Sequence, residues 1–306
     1  MRGPVGLDGR EYKLLLKPGG FRGAPSEKAA KAFWRRELKP IIGRTLDAKE
    51  SGETRAKGEL ALKKQRRVIF LDSGNGRLAG GNFSLRLRTL LVEGEPANLP
   101  EVTLKFRTPD FLLAAEYFRL AQKHDGETKL EEDIAPLQVA REGKPVAVPK
   151  RRSVYSRFSV STKLLEFDGV LETMGDVFDR FGALRGSLAR ESKAAERMKL
   201  VAGPTICEWV YQNALVDLGE DLDAEFGFTL WYLFAPGAKR NPWKRALSGE
   251  VDPSIAEISF DFDTKNGRMD RAAAERASKL FIAMQHKLPV NTRETSKTAL
   301  GLPADA

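Results

Sequence analysis

The sequence has little with which to build thiol or imidazole chemistry: its 306 residues include one cysteine, Cys207, and two histidines, His124 and His286. A single cysteine excludes an internal disulfide and a metal site made of several thiolates. Both histidines fall in or beside polar helical stretches, which indicates a surface role rather than a catalytic one. The sequence also lacks an apolar run of the roughly 20 residues that a membrane helix needs, and its first residues form no apolar signal segment. We therefore expect a cytoplasmic protein with no membrane partner.

Charge is what the sequence has in abundance. Charged residues make up 30% of the chain and give a formal net charge of +9, while 42% of the residues are hydrophobic, enough for a substantial core. An excess of basic residues indicates an anionic partner. The basic residues are spread along the chain instead of forming long patches with exposed aromatic residues. We therefore do not expect a nucleic acid as the partner, although charge alone leaves an RNA-binding protein as a low-ranking alternative.

The stretch 67–88 reads as a strand, a turn region and a second strand. Its first six residues are largely β-branched, aromatic or basic, residues 73–81 contain four glycines, and an alternating pattern then resumes. Arg86 and Arg88 lie two positions apart and so share one face of the second strand. Two neighbouring guanidinium groups repel each other unless an anion lies between them, and their planar fork suits phosphate or carboxylate oxygens. The pair therefore predicts an anion site.

The same alternation of apolar and charged residues recurs in at least five predicted strands. Each of these strands would have one apolar face and one face of full charges, and the charged faces carry both signs. One interpretation is an open antiparallel sheet with its apolar face on the core and its charged face in water. The charged positions are Glu11 and Lys13, Arg86 and Arg88, Lys105 and Arg107, Lys129 with Glu131 and Asp133, and Glu257 with Asp261.

Helical patterns lie between the strands and favour a different arrangement. Ser26 precedes a helix, Pro109 and Asp110 open another, and an apolar stripe marks a final helix over residues 269–288. Such amphipathic helices need an apolar surface to cover, which makes the apolar face of the sheet the outer one. We therefore predict an α+β fold: an antiparallel, eight-stranded β-barrel tunnel with a charged interior and with helices packed on the outside.

Less strongly patterned segments complete the prediction. Residues 48–66 are charged, and we interpret them as a helix end followed by an exposed connection. Aromatic and β-branched residues predict two further strands, over 205–212 and 226–234. We expect a single domain over residues 1–290, with helical insertions near 22–66 and 164–200, and a flexible tail over residues 291–306.

A tunnel lined by the charged faces would bury many charges. Such burial is costly unless the charges are paired, hydrated or bound to ions. Mg²⁺ and Mn²⁺ prefer oxygen ligands, so carboxylates suit them, whereas arginine and lysine suit phosphate. A channel with carboxylates in one part and basic residues in another is therefore a site for a metal ion and a polyanion together.

The sequence contains, in this order, the stretches GREYK, IFLDSGNGRLAGGNFSLRLR, VTLKF, KLEEDI and AEISF. Their order and approximate spacing resemble those of the CYTH family, the triphosphate tunnel metalloenzymes, which include class IV adenylate cyclases, thiamine triphosphatases and inorganic triphosphatases. The resemblance touches most of residues 9–134 and 256–285. It implies an eight-stranded antiparallel tunnel, a divalent cation, either Mg²⁺ or Mn²⁺, and a small-molecule substrate that carries a triphosphate, such as a nucleotide.

The resemblance also implies roles for individual residues. The sequence departs from the family pattern at Gly9 and Ser259, where carboxylates are expected, and at Phe70, which replaces a tyrosine. By resemblance, the catalytic residues are Lys13 and Glu11, the substrate-binding residues are Arg86, Arg88, Lys105 and Lys129, and the metal ligands are Glu11, Glu131 and Glu257. Two residues on the same charged strand faces join them: Arg107 as a substrate-binding residue and Asp261 as a metal ligand.

The expected function is metal-dependent hydrolysis of a triphosphate-containing substrate. One alternative is a catalytically weak or inactive polyphosphate- or nucleotide-binding tunnel that has lost its metal site. Another is a class IV adenylate cyclase, because the choice between cyclisation and hydrolysis depends on where the nucleophile lies in the tunnel. A homodimer is one option for the assembly.

Overall fold

The computed structural model describes residues 5–46, 54–125, 127–141, 144–149, 153–188, 193–219, 221–236, 241–264, 267–293 and 296–304. These residues form an α+β fold built on one large sheet. The strands are β1 Gly9–Leu16, β2 Ala56–Ser73, β3 Phe83–Val92, β4 Glu95–Pro96, β5 Glu101–Thr108, β6 Thr128–Pro136, β7 Gln138–Arg141, β8 Lys144–Ala147, β9 Val154–Leu164, β10 Leu200–Ala202, β11 Thr205–Asp217, β12 Asp223–Phe234 and β13 Ile255–Asp263. The helices are α1 Glu27–Phe33, α2 Lys39–Leu46, α3 Arg77–Gly80, α4 Phe111–His124, α5 Met174–Arg180, α6 Gly182–Leu188, α7 Lys193–Glu196, α8 Pro242–Leu247, α9 Arg271–Lys287 and α10 Lys297–Gly301.

Nine strands of the large sheet close into a ring within the described residues. The order around the ring is β2, β11, β12, β13, β1, β6, β9, β5 and β3, and pairing of β3 with β2 closes it. Two short strands add to its rim, β10 beside β2 and β4 beside β3. The predicted number of eight strands is therefore not confirmed.

The ring is mostly antiparallel, but β1 and β6 run parallel to each other. Because nine is an odd number, strand directions cannot alternate all the way around a closed ring, and at least one neighbouring pair must be parallel. The prediction of a wholly antiparallel sheet is wrong at this junction. Strands β1 and β6 are separated by more than a hundred residues, so no local hairpin pattern could have revealed their direction.

The apolar faces of the strands are the outer ones, as the sequence predicts, and helices cover them. The aromatic ring of Tyr12 in β1 stacks on that of Phe260 in β13 with centroids 4.6 Å apart, and the centroid of Phe281 in α9 lies 5.2 Å from that of Tyr12. On another side of the ring of strands, the centroids of Phe106 in β5 and Tyr117 in α4 are 5.0 Å apart. Burial of such large side chains is the main favourable contribution to folding and leaves the opposite strand faces for the interior.

Side-chain caps fix the predicted helix starts. Ser26 Oγ accepts a hydrogen bond from the backbone N–H of Ala29 at 3.3 Å, and Asp110 Oδ1 accepts one from Leu112 at 2.8 Å. Both caps confirm the predicted start of α1 and α4, because they satisfy N–H groups that have no partner within the helix. None of the helices in the described part of the chain is both long and apolar enough to cross a membrane.

The exposed connection predicted within residues 48–66 is wrong over residues 56–66. Those residues form the first part of β2, which pairs with β11 along most of its length and with β3 along its second half. The neighbouring lysines Lys63 and Lys64 are both exposed, so charge falls on both faces of the strand and hides the alternation. Residues 48–53 of that prediction lie outside the described residues.

Residues 296–304 differ from the flexible tail that the sequence predicts. They include α10, and Leu300 and Leu302 pack against a small apolar cluster that contains Val68 and Phe70 of β2. Val68 and Phe70 share the inner face of β2, so the segment covers one end of the ring's interior. The sequence could not reveal this contact, because the apolar surface exists only after the ring has closed.

Candidate functional site

The inward-facing side chains of the ring are rich in charge. Tyr12 of β1 belongs to the outer core, so its neighbours Glu11 and Lys13 point towards the interior. The charged face continues across neighbouring strands, because Glu11 lies opposite Asp133 of β6 and opposite Asp261 of β13. The predicted charged faces of β1, β6 and β13 therefore meet on one inner surface.

One group of charges centres on Asp133 and is called here the Asp133 cluster: Asp133, Lys13, Lys105 and Arg107. Lys13 Nζ lies 2.9 Å from Asp133 Oδ1, while Lys105 Nζ and Arg107 Nε lie 3.4 and 3.2 Å from Oδ2. Lys13 also contacts Glu11 Oε2 at 2.7 Å. Only 8% of the Asp133 side chain is exposed. Glu11 and Glu131, which lies 3.9 Å from Lys105, offset part of this positive charge, but the three cations share Asp133 and keep N–H donors that a further anion can accept from.

The pKa values in the Asp133 cluster show that its carboxylates stabilise the charge of Lys13 but not fully that of Lys105: against the effect of burial, Asp133 and Glu11 raise the pKa of Lys13 above its usual range. Burial alone would raise the pKa of Asp133, but Lys105, Lys13 and Arg107 outweigh it and hold that pKa well below its usual range. Burial, opposed by Asp133 and reinforced by Lys13 and Arg107, lowers the pKa of Lys105 to about 8. The charged form of Lys105 is thus poorly stabilised by the protein itself, and an added anion would stabilise it.

A second group, the arginine cluster, consists of Arg66, Arg86 and Arg88. Arg66 Nε donates to Glu208 Oε2 at 2.6 Å, and Arg88 Nη1 lies 3.2 Å from Glu101 Oε1. The buried Nε atoms of Arg86 and Arg88 have no hydrogen-bond partner among the described residues. Burial and the nearby Arg66 lower the pKa of Arg88 to about 10. Buried N–H groups without acceptors are costly, so these two atoms mark a place for an acceptor such as a phosphate oxygen.

The turn before β3 positions the arginine cluster. Asp72 at the end of β2 is fully buried, and its Oδ1 accepts hydrogen bonds from the backbone N–H groups of Ser73 at 2.7 Å and Leu78 at 2.9 Å. Its Oδ2 accepts a further one from Ala79 at 2.9 Å. One carboxylate thus organises the first turn of α3 and fixes where β3 begins.

Three carboxylates form a row across neighbouring strands, called here the carboxylate row: Glu225, Asp261 and Glu11. Asp261 lies opposite Glu225 on β12 and opposite Glu11 on β1. Desolvation by the surrounding protein, together with Glu11, Glu225 and Glu131, raises the pKa of Asp261 to about 7, although the residue is still exposed at the surface, so the three neighbouring carboxylates are the firmer cause. Among the described residues no cation forms an ion pair with Asp261. Sequence reasoning missed Glu225, because the strand predicted there began at Phe226.

The predicted metal ligands are only partly brought together. No three Asp, Glu, His or Cys residues in the described ranges lie close enough to hold a metal ion. Glu257 is engaged by Lys297, whose Nζ lies 2.5 Å from its Oε1, and Glu131 lies 3.9 Å from Lys105. The carboxylate row supplies oxygen donors of the kind that a hard divalent cation prefers, but its three side chains do not lie close enough together to hold one as they stand, and Glu11 is ion-paired with Lys13.

The predicted substrate-binding residues fall into two groups and one outlier. Lys105 and Arg107 lie in the Asp133 cluster, and the two hairpin arginines lie in the arginine cluster. Lys129 is exposed on β6, opposite Ser161 of β9. Arg66 joins the arginine cluster although the sequence gave no reason to select it, since it lay in the segment interpreted as an exposed connection.

Several solved structures match the chain over most of its length at low similarity. No family model matches the chain, and no curated protein matches its sequence. A candidate adenylyl cyclase from Hippeastrum, described as having a dominant triphosphatase activity, is 14% identical over 96% of this chain and 95% of that chain, with a TM-score of 0.42. A Pyrococcus horikoshii protein is 11% identical over 92% of each chain, with a TM-score of 0.31. A candidate adenylate cyclase from Vibrio parahaemolyticus is 11% identical over 96% of this chain and 98% of that chain, with a TM-score of 0.29.

Proposed function

We propose that the ring interior binds a triphosphate-containing small molecule, inorganic or organic, and hydrolyses it with the help of a divalent cation. The observation that carries this proposal is the pair of buried, unpartnered Nε atoms of Arg86 and Arg88 in a ring that also contains the Asp133 cluster. A guanidinium fork matches two phosphate oxygens at once. A bound phosphate would therefore satisfy donors that the protein leaves without acceptors.

The spacing of the two basic clusters fits a ligand with several linked phosphates. Arg86 lies opposite Thr103 of β5, and Lys105 follows two residues later on the same face. Residues two positions apart on one strand face are about 7 Å apart, so the two clusters lie next to each other along the inner surface of the ring. A single phosphate would reach one cluster, whereas a triphosphate would reach both.

A divalent cation, Mg²⁺ or Mn²⁺, would need the side chains of the carboxylate row to move closer together in order to be held there. When bound, it supplies positive charge beside the phosphates and lowers the pKa of a water molecule. The residues of the Asp133 cluster bind and orient the phosphate oxygens and offset their negative charge. In the overall reaction a water oxygen bonds to the terminal phosphorus, the terminal P–O–P bond breaks, and its bridging oxygen leaves with the rest of the substrate.

A specific observation favours a second candidate, which is binding without turnover. Glu257 is ion-paired with Lys297, and Gly9 and Ser259 stand where the CYTH pattern has carboxylates. A ring that no longer holds a cation would still attract a polyphosphate through its arginine and lysine residues. Such binding would need no metal and would weaken as salt is added.

Release of orthophosphate from tripolyphosphate in the presence of Mg²⁺ or Mn²⁺, measured from pH 6 to pH 10, tests the proposed hydrolysis. We expect release by the protein and a loss of at least about 100-fold in Lys105→Met, because one preorganised cation that offsets developing charge contributes on that order. Lys287→Met, at an exposed site on α9, is the matched control and should leave the rate unchanged. Absence of release under all these conditions would rule out hydrolysis and favour the binding-only candidate.

A further inference from the structure

A cavity of about 60 Å³ lies at the end of the ring interior that residues 296–304 cover. Ser296, Lys297 and Thr298 of that segment form part of its wall. One water molecule needs roughly 10–15 Å³ of such space, so the cavity has room for a small polyatomic ion. The charged residues that line it are Lys13, Arg107, Arg157, Lys297, Asp133 and Glu257.

Cationic side chains outnumber carboxylates around this cavity. Four cations face two carboxylates, which leaves an excess of two positive charges. Both carboxylates already have cationic partners, because Lys13 and Arg107 contact Asp133 and Lys297 contacts Glu257. The charge that remains without compensation is therefore positive, and a dianion matches it in sign and size.

Arg157 is the cation of this wall that has no protein partner. Within the described part of the chain its guanidinium forms no hydrogen bond and no ion pair. Burial and the neighbouring Arg107 lower the pKa of Arg157, while Asp133 acts in the opposite direction from beyond contact distance. Neighbouring guanidinium groups repel each other unless an anion lies between them, and each can donate to two oxygens of one tetrahedral anion.

The cavity lies on the far side of the Asp133 cluster from the arginine cluster. Along β9, Ser161 lies opposite Lys105, whereas Arg157 lies four residues further from the arginine cluster and opposite Asp133. Four residues of a strand span about 13 Å. The described residues that line the cavity include neither Lys105 nor any arginine of the arginine cluster. The cavity is thus a compartment beyond the two clusters that fit a triphosphate.

We propose that this cavity is a separate site for one small tetrahedral dianion, with orthophosphate as its occupant. Arg107 and Arg157 donate N–H groups to the phosphate oxygens, and Lys297 offers an ammonium group at the same wall. The hydroxyl-bearing residues Ser296 and Thr298 lie beside it. Because residues 296–304 cover this end of the ring, the site holds a single phosphate group and not a longer chain.

Orthophosphate is also a product of the proposed hydrolysis, and its role as a retained product rests on that proposed function. Lys13 and Arg107 belong both to the Asp133 cluster and to the cavity wall. A phosphate held in the cavity offsets positive charge that attracts the substrate, so orthophosphate weakens tripolyphosphate binding. Binding of orthophosphate itself needs neither hydrolysis nor a metal ion, so failure of this inference and failure of the proposed hydrolysis can be told apart.

Calorimetric titration of orthophosphate into the protein, without tripolyphosphate or metal ions and at about pH 8, where the dianion predominates, tests the site. We expect saturable binding that is at least about tenfold weaker in Arg157→Met, with a smaller loss in Arg157→Lys. Arg36→Met, at an exposed position between α1 and α2, is the matched control and should bind as the unaltered protein does. Absence of saturable binding, or equal affinity in Arg157→Met and the unaltered protein, would overturn the proposal.

Titration of tripolyphosphate separates a free orthophosphate from the end of a bound triphosphate. Arg157→Met should change tripolyphosphate affinity by less than about threefold, because solvent and salt screen a charge at this distance. Arg86→Ala should show the reverse pattern, with weaker tripolyphosphate binding and retained orthophosphate binding. Equal losses of both ligands in Arg157→Met would make the cavity part of the triphosphate site. Loss of orthophosphate in Arg86→Ala alone would place the anion in the arginine cluster, and either result would overturn a separate site.

Thermal unfolding distinguishes a ligand-binding arginine from a structural one. Without phosphate, Arg157→Met should have a Tm equal to or above that of the unaltered protein, because the substitution breaks no ion pair and removes repulsion from Arg107. Orthophosphate should raise the Tm of the unaltered protein but not that of Arg157→Met. A lower Tm of Arg157→Met in phosphate-free buffer would mean that Arg157 supports the fold and would contradict its role in the anion site.

Discussion

Lys13 Nζ lies 2.9 Å from Asp133 Oδ1 across the parallel junction of β1 and β6. In backbone register Asp133 lies opposite Glu11, so Lys13 reaches it diagonally and contacts both carboxylates. The junction that the odd number of strands requires thus becomes the place where opposite charges are most concentrated. Lys105 and Arg107 approach the same carboxylate from β5, beyond β9. Asp133 is therefore the residue that holds the basic side of the site together.

Asp133→Asn should weaken the fold and strengthen anion binding at once. Loss of the buried carboxylate leaves three cations without their common partner, which should lower the free energy of unfolding by roughly 3 kcal/mol. The same loss leaves more positive charge for a ligand, so tripolyphosphate should bind about tenfold more tightly. Urea unfolding and calorimetric titration measure the two effects. Asp168→Asn, in an exposed loop after β9, is the control, and weaker tripolyphosphate binding by Asp133→Asn would contradict the assigned role.

Arg86→Ala should reduce tripolyphosphate affinity by about 10- to 100-fold, because a hydrogen bond to a charged group contributes roughly 1.5 to 3 kcal/mol. Arg67→Ala provides a matched control on the neighbouring strand. Arg67 is exposed and lies opposite Thr89, on the outer face of the ring, so its removal changes the net charge equally but not the interior. If both variants lost affinity to the same small extent, the protein would be binding polyphosphate through diffuse charge rather than inside the ring.

Asp72→Asn should lower the free energy of unfolding by about 2 to 4 kcal/mol. An amide nitrogen in place of one carboxylate oxygen would face a backbone N–H group of the turn, leaving a buried donor without an acceptor. Because this turn leads into β3, anion affinity should fall as well. Asp110→Asn is the control, since asparagine caps a helix as well as aspartate does and should cost little. Urea unfolding that shows equal losses in the two variants would contradict the special role of Asp72.

Strands with a single charged face could be predicted from the sequence, and those with charge on both faces could not. The alternation of apolar and charged residues in β1, β5 and β13 is local, and the observed limits of each strand are close to the predicted ones. Strand β2 was predicted only in its second half because Lys63 and Lys64 interrupt the pattern. For the same reason Arg66 was missed, although it completes the arginine cluster.

Contacts between distant parts of the chain could not be predicted from the sequence. The parallel pairing of β1 with β6 follows from closure of the ring, which no local pattern encodes. Lys297 meets Glu257 only because residues 296–304 pack against one end of the ring's interior. Glu225 was not chosen as a candidate site residue, because it lies one residue before the predicted start of its strand and such limits are uncertain by a few residues.

The ion pair of Glu208 with Arg66 should give the fold a measurable acid sensitivity. Burial raises the pKa of Glu208, but Arg66, Lys297 and Arg88 outweigh it, and the pKa falls from 4.5 to about 2. A lowered pKa in the folded state contributes stability above pH 4.5, and this contribution is lost as the pH falls towards 2.

Glu208→Gln provides the comparison for this acid sensitivity. The free energy of unfolding lost in Glu208→Gln should be larger at pH 6 than at pH 2.5, by up to about 3 kcal/mol. Urea unfolding at both pH values measures the difference, and Glu116→Gln at an exposed site on α4 should show none. A loss that is equal at the two pH values would mean that the charge of Glu208 does not stabilise the fold.

Isothermal titration of tripolyphosphate into the protein, with and without Mn²⁺, tests the central claim most directly. If the ring interior is a triphosphate site, the titration will show saturable binding that weakens with added salt and with Arg86→Ala, and Mn²⁺ will tighten it. Absence of saturable binding in both titrations, or binding that is unchanged in an Arg86→Ala, Lys105→Met double variant, would contradict a triphosphate site in the ring.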